Sequence, residues 1–321
     1  MNANLPIDAE PTVVNCYAFF DKVFPDCGLR DYTDGIYHGD PATPYDVAQK
    51  NQLQYLLDEV DCGPGVRVLE IGCGNGSLRE AARERGAQAV GVTISPEQVE
   101  RCTDCGLDVR LLGYRNLDRT RFGRFDAVIA NGPIEHFVQP RDAADGRDDA
   151  IYRQMFAIFH GLIDPASPIG KFVNTTIHFV RRPDPRNLLA SPVRFRWGSD
   201  SFHFAWLNRS FGGWYPSLGQ LQQCSQGRFH LMKTMDGTYD YHLTSEEWLC
   251  RMKAEMGRWS SASRMLRRLL PVILKHPRQT LTMFACMLAT QSWNWQFRTS
   301  DPPTRLLRQT WKYCPTEPDA A

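Results

Sequence analysis

The sequence lacks a dominant charge, a long apolar run and a basic leader, and each absence excludes a class of protein. Its 321 residues carry 37 Lys and Arg against 36 Asp and Glu, so a formal net charge of +1 gives no field that favours nucleic acid. The most apolar run, 281–290, is short and contains threonines, so it does not suit a membrane span. The N-terminus, MNANLPIDAEP, has acids and no basic segment, which predicts no secretory signal. We therefore expect a cytoplasmic protein.

The sequence also lacks a cysteine framework, internal repeats and low-complexity segments. Its ten cysteines are scattered, and without a secretion signal we expect reduced thiols. Cys102 and Cys105 form the one CxxC pair, and no second pair of Cys or His completes a tetrahedral zinc site. The sequence therefore predicts no metal site.

What the chain does contain is an alternation of apolar runs and helical segments. Hydrophobic residues make up 42% of the chain and aromatic residues 11%, enough for a sizeable core. The predicted strands are 66–71, 89–94, 108–112, 125–130 and 170–176. Strands that alternate with helices are typical of βαβ units. The predicted fold class is α/β, with a Rossmann-like, doubly wound, mainly parallel sheet.

Changes in composition divide the chain into four predicted parts. Residues 1–62 are amphipathic and predict a helical N-terminal cap, and residues 63–180 form the Rossmann-like core. Prolines, glycines and aromatics at 181–243 favour an inserted substrate lid. Residues 244–321 are expected to supply C-terminal helices and a final strand that completes the core.

Within the C-terminal part, the patterns predict helices at 244–258 and 263–288, and an alternating strand at 292–297. The last twenty residues are polar and predict a surface tail. Between residues 251 and 278 lie eight Lys and Arg with one acid, Glu255, among leucines. Such a basic amphipathic segment favours peripheral contact with anionic lipid, although a solvated helix face gives the same pattern.

The strongest motif is the glycine loop Glu70-Ile-Gly-Cys-Gly-Asn-Gly76, which lies between a predicted strand and a predicted helix. Gly72, Gly74 and Gly76 allow a sharp turn and a close approach of the backbone to a ligand. Dinucleotide-binding folds place their third glycine one position later, in G-x-G-x-x-G. The tighter spacing, preceded by Glu70, favours a smaller ligand whose ammonium lies near the acid. S-adenosylmethionine (SAM) fits that description, and a dinucleotide remains the alternative.

Three later segments carry a resemblance to a known family. They are 91–98 (GVTISPEQ), 113–117 (GYRNL) and 131–137 (NGPIEHF). Together they resemble the cyclopropane fatty acid synthase and mycolic acid cyclopropane synthase family of SAM-dependent methyltransferases. That family shows G-x-T-x-S-x-x-Q after its second strand and a Glu-His-Phe segment after its fourth. Further matches, in order, extend the resemblance from about residue 17 to residue 297.

The resemblance implies two sets of site residues. The expected cofactor-binding residues are Tyr32, Thr33, Glu70, Gly72, Gly74, Gly76, Thr93, Ser95, Gln98, Tyr114, Arg115 and Asn131. Tyr114 stands where the family has Trp at the adenine, and Asn131 replaces an acid. The expected catalytic residues are Asp34, Glu135, His178 and Tyr241. His136 and Phe137 match the family segment, with His136 expected to act at a helix start as readily as in the site.

One departure from the family bears on the reaction. The family holds a bicarbonate with Glu, His, Tyr and Cys, and Asp34 replaces that Cys here. A second carboxylate beside Glu135 would repel bicarbonate; it could instead act as the base or hold the ammonium of an amine acceptor.

The resemblance implies transfer of a methyl or methylene group from SAM to a lipophilic acceptor such as an unsaturated acyl chain. Two alternatives remain open at this point. The first is N- or C-methylation of a small natural-product intermediate, an amine or a terpenoid-like molecule. The second is a SAM- or nucleotide-binding protein without catalysis.

Overall fold

A computed structural model describes residues 10–315 of the chain. Within them, the strands form one seven-stranded sheet in the order β3-β2-β1-β4-β5-β7-β6. The strands are β1 (Arg67–Ile71), β2 (Gln88–Thr93), β3 (Val109–Leu111), β4 (Ala127–Asn131), β5 (Lys171–Phe179), β6 (Phe229–Asp236) and β7 (Thr304–Tyr313). The first five strands run parallel, and β7 is antiparallel to both β5 and β6. The five strands predicted from the sequence are therefore present, in a mixed α/β architecture.

Helices precede, connect and cover these strands. The first seven are α1 (Pro11–Val23), α2 (Tyr45–Glu59), α3 (Ser77–Glu84), α4 (Pro96–Asp104), α5 (Arg119–Phe122), α6 (Pro140–Ala144) and α7 (Asp148–Leu162). The others are α8 (Pro185–Leu189), α9 (Asp200–Phe211), α10 (Gln220–Cys224), α11 (Thr238–Met256), α12 (Trp259–Lys275), α13 (Pro277–Phe284) and α14 (Ser292–Arg298).

The alternation of side chains along the strands puts apolar residues on both faces of the sheet. On one face, Val68 and Ile129 pack with Leu56 of α2 and Leu78 of α3. On the other face the core is built by strand residues that pack against Phe156 and its neighbours on α7. A parallel sheet with helices on both faces is the expected doubly wound arrangement.

Two predictions for the C-terminal region are wrong. Residues 292–297 form helix α14 rather than a strand, because Trp293 and Phe297, one helical turn apart, both lie in the core. The final strand is instead β7, within the expected surface tail. Its pattern looks polar, but Trp311 is fully buried and Arg308 is paired with acids inside the protein.

Two further elements differ from the sequence pattern. The helix expected at 263–288 is interrupted at His276, whose backbone is not helical, and α13 then begins with Pro277. Strand β6 was missed because it lies in the segment 181–243 expected to be a lid. The four-part division of the chain stays a prediction.

Candidate active site

The candidate site is a cavity of about 610 Å³ at the carboxyl edge of the parallel strands. The loops after β1 and β4 both line it, and these strands are where the sheet order reverses. In doubly wound sheets a crevice opens at such a switch point, because successive connections leave to opposite faces. The fold therefore brings together side chains that are far apart in the sequence.

The three glycines of the loop after β1 have different roles. Gly72, Gly74 and Gly76 all have positive φ, at 68°, 50° and 91°. A Cβ on Gly72 would lie 2.8 Å from Pro133, and one on Gly76 would lie 2.7 Å from Leu107, so both allow close packing of the protein itself. A Cβ on Gly74 would meet no protein atom within 4 Å. Gly74 thus faces the space left for a ligand, whereas Gly76 caps α3 and does not line the cavity.

Two acids lie beside this loop. Glu70 accepts a hydrogen bond from Arg79 Nη1 at 3.0 Å, and both side chains are buried. Burial raises the pKa of Glu70 to about 7, and the charge of Arg79 opposes that rise. Asp31 also lines the cavity and accepts a hydrogen bond from Ser77 Oγ at 2.9 Å. Asp31 was missed, and its place in the polar loop before Tyr32 was the available signal.

The end of β2 supplies a hydrogen-bonded group of polar side chains. Thr93 and Gln98 both line the cavity, and Thr93 Oγ1 donates to Gln98 Oε1 at 2.6 Å. Ser95 does not line it; its hydroxyl caps α4 and donates to Asp21 at 3.2 Å. The Tyr32 hydroxyl donates to the same carboxylate at 2.5 Å. Ser95 therefore acts on the site through Asp21, which fixes Tyr32.

A pair of stacked rings forms another part of the wall. The rings of Tyr114 and Phe137 lie 3.8 Å apart with an interplanar angle of 18°, and both line the cavity. Arg115 donates to the carbonyl of Phe137 at 3.3 Å and lies against the Tyr114 ring. This is a flat apolar surface of the kind that stacks on a planar heterocycle.

The carboxylate of Asp34 is held by the protein itself. Gln52 Nε2 donates to Oδ1 at 2.5 Å, and Arg308 Nη2 forms an ion pair with Oδ2. Arg308 also pairs with Asp240, at 2.8 Å from Nη1 to Oδ2. Burial raises the pKa of Asp34 to about 6, against the lowering effect of Arg308. The sequence placed Asp34 in the site as a free base or amine anchor, but Arg308 already neutralises it.

Gln52, a fully buried residue of α2, links three of the expected site residues. Its side chain accepts from Thr33 Oγ1 at 3.0 Å and donates to Asn131 Oδ1 at 3.2 Å, in addition to its bond with Asp34. A glutamine with all its hydrogen bonds made inside the protein has a fixed orientation. Sequence reasoning missed this residue, because a glutamine in an amphipathic helix usually faces solvent.

Glu135 lies among phenol rings at the inner part of the cavity. It accepts a hydrogen bond from the backbone N–H of Ile177 at 2.8 Å. Burial raises its pKa to about 8, and the nearby charge of Asp34 adds to the rise. Tyr17, Tyr215 and Tyr241 line the same cavity, and burial and the Glu135 charge raise their pKa values. Tyr241 was predicted, whereas Tyr17 and Tyr215 were not.

Of the two candidate histidines, one lines the cavity and the other does not. His178 does not line the cavity; Thr175 and Ile177 do, and alternation along β5 directs His178 to the opposite face. Its Nδ1 lies 2.9 Å from the carbonyl of Thr176, in a buried position. The prediction of His178 as a site residue is not supported by this placement. His136 lines the cavity instead, and burial lowers its pKa to about 4, so it is neutral.

The remaining wall is apolar. Phe20, Ile177, Leu207, Phe211 and Trp293 line this part of the cavity. Four aromatic residues of the segment 181–243 do not line it, namely Phe202, Phe204, Trp206 and Trp214. The elements α1, α9 and α14 therefore supply the surface for an apolar ligand.

The described part of the chain has neither a cluster of metal ligands nor a helix that could cross a membrane. Residues 10–315 contain no group of three or more His, Cys, Asp or Glu placed to hold a metal ion. In the same range, no helix has the length and apolar character needed to cross a membrane.

A family model and curated relatives match the sequence of this chain. The chain matches a family model described as mycolic acid cyclopropane synthetase over residues 18–267. The cyclopropane-fatty-acyl-phospholipid synthase of Escherichia coli (strain K12) is 29% identical over 214 residues, or 64% of this chain and 47% of that protein. A probable fatty acid methyltransferase of Pseudomonas putida is 36% identical over 110 residues, or 31% of this chain and 27% of that protein. The chain spans about half or less of the length of these curated relatives.

Solved structures with the same fold cover nearly the whole chain. Mycolic acid cyclopropane synthase CmaA1 complexed with SAH and CTAB gives a TM-score of 0.68 at 19% identity, covering 94% of this chain and 96% of that one. The cyclopropane synthase MmaA2 from Mycobacterium tuberculosis gives 0.68 at 17% identity, covering 95% and 99%. The predicted fold class, a class I SAM-methyltransferase fold, is confirmed.

Proposed function

This chain belongs to the mycolic acid cyclopropane synthetase family, as its sequence resemblance predicted, and we propose that it is a SAM-dependent methyltransferase acting on a lipophilic acceptor. The observation that carries the proposal is that the glycine loop and Glu135 line one cavity. A cofactor side and a reaction side therefore share the same space. A protein that only binds a nucleotide has no need of the second side.

The residues at the glycine loop fit SAM. Six of the described lining residues are Asp or Glu and one, Arg115, is Lys or Arg, which favours a positively charged ligand. The open side of Gly74 leaves room for the ligand next to the backbone, and Glu70 and Asp31 suit an ammonium group. The stacked Tyr114 and Phe137 suit an adenine ring. When bound, SAM supplies an electrophilic methyl group.

The inner part of the cavity suits an acyl chain that loses a proton. Phe20, Phe211 and Trp293 would bind and orient such a chain and exclude water. An alkene that gains a methyl group becomes a cation and must release a proton. We propose that Glu135 receives it, since the carboxyl oxygen not bonded to Ile177 remains for that purpose. A cation beside Glu135 would also lower its raised pKa and so favour the ionised base.

The residues present do not fit a bound bicarbonate. Asp34 and Glu135 both line this region, and the only Lys or Arg among the described lining residues, Arg115, contacts Tyr114. Burial already raises the pKa of Glu135 to about 8, and an anion beside it would raise that pKa further, which opposes the ionised form that receives a proton. We therefore assign no step to bicarbonate.

The decisive experiment is mass analysis of lipid products made with SAM carrying a fully deuterated methyl group. The protein is incubated with unsaturated phospholipid vesicles in bicarbonate-free buffer. Ring closure loses one deuteron to the base, whereas plain methylation keeps every deuteron and loses a hydrogen of the acceptor. We expect turnover to fall by about 10² or more in Glu135→Gln and to persist in the exposed control Glu84→Gln. No labelled lipid from the native protein, or dependence on added bicarbonate, would contradict the proposal.

We also propose that the protein meets its acceptor at an anionic bilayer, through helix α12. One side of this helix exposes Leu266, Leu270 and Leu274, at 59%, 49% and 75%, with spacing of one turn between each. Arg267 and Lys275 are exposed on the same helix. The leucines can insert between the lipids of a bilayer, and the basic residues beside them can pair with acidic headgroups.

Vesicle binding tests this second proposal. We expect sedimentation with phosphatidylglycerol vesicles, weaker with phosphatidylcholine vesicles and weaker at high salt. Replacing Leu266, Leu270 and Leu274 by Ser should abolish binding. Replacing three exposed apolar residues elsewhere, Val47, Val193 and Met232, by Ser should not. If the leucine variant changes the oligomeric state and leaves vesicle binding intact, the surface joins two copies and the membrane proposal is wrong.

A further inference from the structure

A second recess, of about 430 Å³, lies beside the mouth of the active-site cavity. Its walls include residues of α6, α9 and α13. Glu10, Gln139 and Gly212 line both the recess and the cavity, so the two spaces share a rim. A ligand with two dissimilar ends could occupy both spaces at once.

Three arginines give the recess its charge. Arg141 on α6, Arg209 on α9 and Arg278 on α13 all line it, and all are exposed. Within residues 10–315, none of the three forms an ion pair with an acid, and Glu10 at the shared rim is the only acid among the described lining residues.

Two other arginines already have acidic partners. Arg147 pairs with Asp142 at 2.7 Å, and Arg182 pairs with Asp148 at 2.9 Å. Arg141, Arg209 and Arg278 differ from these two in having no acidic partner within residues 10–315, and they lie on three separate elements.

Hydrogen bonds between neighbouring segments hold the walls of the recess in place. Gln279, next to Arg278, donates to the carbonyl of Thr12 at 2.6 Å and accepts from Asn15 at 2.9 Å. Asn208, next to Arg209, donates to the carbonyl of Leu188 at 3.0 Å. Since these bonds tie α13 to α1 and α9 to α8, the backbones that carry Arg278 and Arg209 are positioned before any ligand arrives.

We infer that this recess binds a phosphate group of the acceptor while its acyl chain crosses the shared rim into the cavity. Guanidinium groups hold phosphate oxygens through paired, charge-assisted hydrogen bonds, and three of them suit a group with several oxygens. The apolar residues of the cavity then bind the chain. The inference rests on the proposed function, because it assigns the polar end of that acceptor.

Calorimetry with soluble probes tests the recess without SAM. The probes are dihexanoyl phosphatidate, dihexanoylglycerol as the same lipid without phosphate, and inorganic phosphate. We expect the phosphatidate to bind the native protein roughly tenfold or more tightly than dihexanoylglycerol. Substituting Arg141, Arg209 and Arg278 together by Gln should remove that preference. Tight binding of inorganic phosphate with no gain from the acyl chains would overturn the inference, because the recess would then hold free phosphate.

A charge-matched control keeps the result specific. Arg119, Arg121 and Arg228 lie before the amino ends of β4 or β6, whereas the cavity lies at the carboxyl ends of the parallel strands. Joint replacement of these three arginines by Gln should leave the preference for phosphatidate intact. If the recess variant does not fold, the single exposed substitution Arg278→Gln should still lower phosphatidate affinity measurably. An unchanged affinity in a folded variant would refute the inference. If the native protein prefers phosphatidate but transfers no methyl group, the proposed function is wrong and the inference about the recess still holds.

Discussion

Asp34 and Arg308 are separated by 274 positions in the sequence, yet they form a buried ion pair beside the candidate active site. Asp240 shares the same guanidinium, and Gln52 binds the other oxygen of Asp34. This arrangement makes Asp34 a positioning residue for the loop that carries Thr33. A free carboxylate at this position, as the sequence suggested, would have been available to an acceptor.

Replacing Asp34 by Asn tests this role. The substitution leaves Arg308 buried with only Asp240 as a charged partner, and breaking a buried pair costs about 3–5 kcal/mol. We expect the free energy of unfolding in urea to fall by that order, whereas Asp301→Asn, at an exposed pair, should change it by less than about 1 kcal/mol. If Asp34 were instead the base, kcat would fall with stability unchanged.

Glu135 should make stability depend on pH. Its carboxyl group ionises near pH 4.5 in an unfolded chain but keeps its proton to about pH 8 in the folded protein. Between these values the unfolded state binds fewer protons, so the free energy of unfolding falls as pH rises. The contribution is fully present below pH 4.5 and is lost by about pH 8.

The variant Glu135→Gln isolates this contribution, because its amide does not titrate. Urea unfolding of both proteins between pH 5 and 8 measures the difference in their free energies. As pH rises over this range, the free energy of unfolding of the native protein should fall by about a few kcal/mol relative to that of the variant, as the size of the pKa change implies. Parallel pH profiles would mean that Glu135 is ionised in the folded protein, which contradicts its burial among the tyrosines.

At the scale of elements, the loop between β1 and α3 carries the expected cofactor contact. The variant Gly74→Val adds a branched side chain where no protein atom lies within 4 Å, so it should block SAM and leave packing intact. Gly74 has a φ of 50°, and strain from Val there should itself cost about 1–2 kcal/mol. Calorimetry should show at least roughly a hundredfold loss of SAM affinity, as several close contacts are lost together.

Gly146 provides the control for backbone strain. It has a φ of 71°, and a Cβ there would also meet no atom within 4 Å, but it does not line the cavity. Gly146→Val should therefore lose a similar amount of stability and bind SAM normally. Equal SAM affinity in the two variants would show that Gly74 is a turn residue only, and NAD binding by the native protein would restore the dinucleotide alternative.

At the scale of the whole molecule, β7 joins the C-terminal region to the parallel sheet. It lies between β5 and β6, and Trp311 is fully buried and donates to Asn174 Oδ1 at 2.6 Å. Trp311→Ala should lower the free energy of unfolding by about 3–5 kcal/mol, because it opens a cavity in the core. Trp197→Ala, at a side chain 70% exposed, should cost less than about 1 kcal/mol. Equal costs in urea unfolding would mean that β7 does not belong to the cooperative core.

The sequence by itself determined the five parallel strands and the glycine loop between the first strand and α3. These features are local, because apolar runs, helical spacing and turn glycines are set by residues only a few positions apart. The family segments at 91–98 and 131–137 likewise pointed to Thr93, Gln98 and Glu135, and all three line the cavity.

Only the tertiary structure decided which polar side chains work together. Whether His136 or His178 faces the cavity depends on the direction of β5 relative to the loop after β4, which no local pattern encodes. The polar pattern of β7 suggested a surface segment, and its burial is explained only by the pairing of Arg308 with Asp34 and Asp240. A charged residue predicts exposure unless its partner is known, and here the partners come from remote parts of the chain, brought together by packing of the sheet.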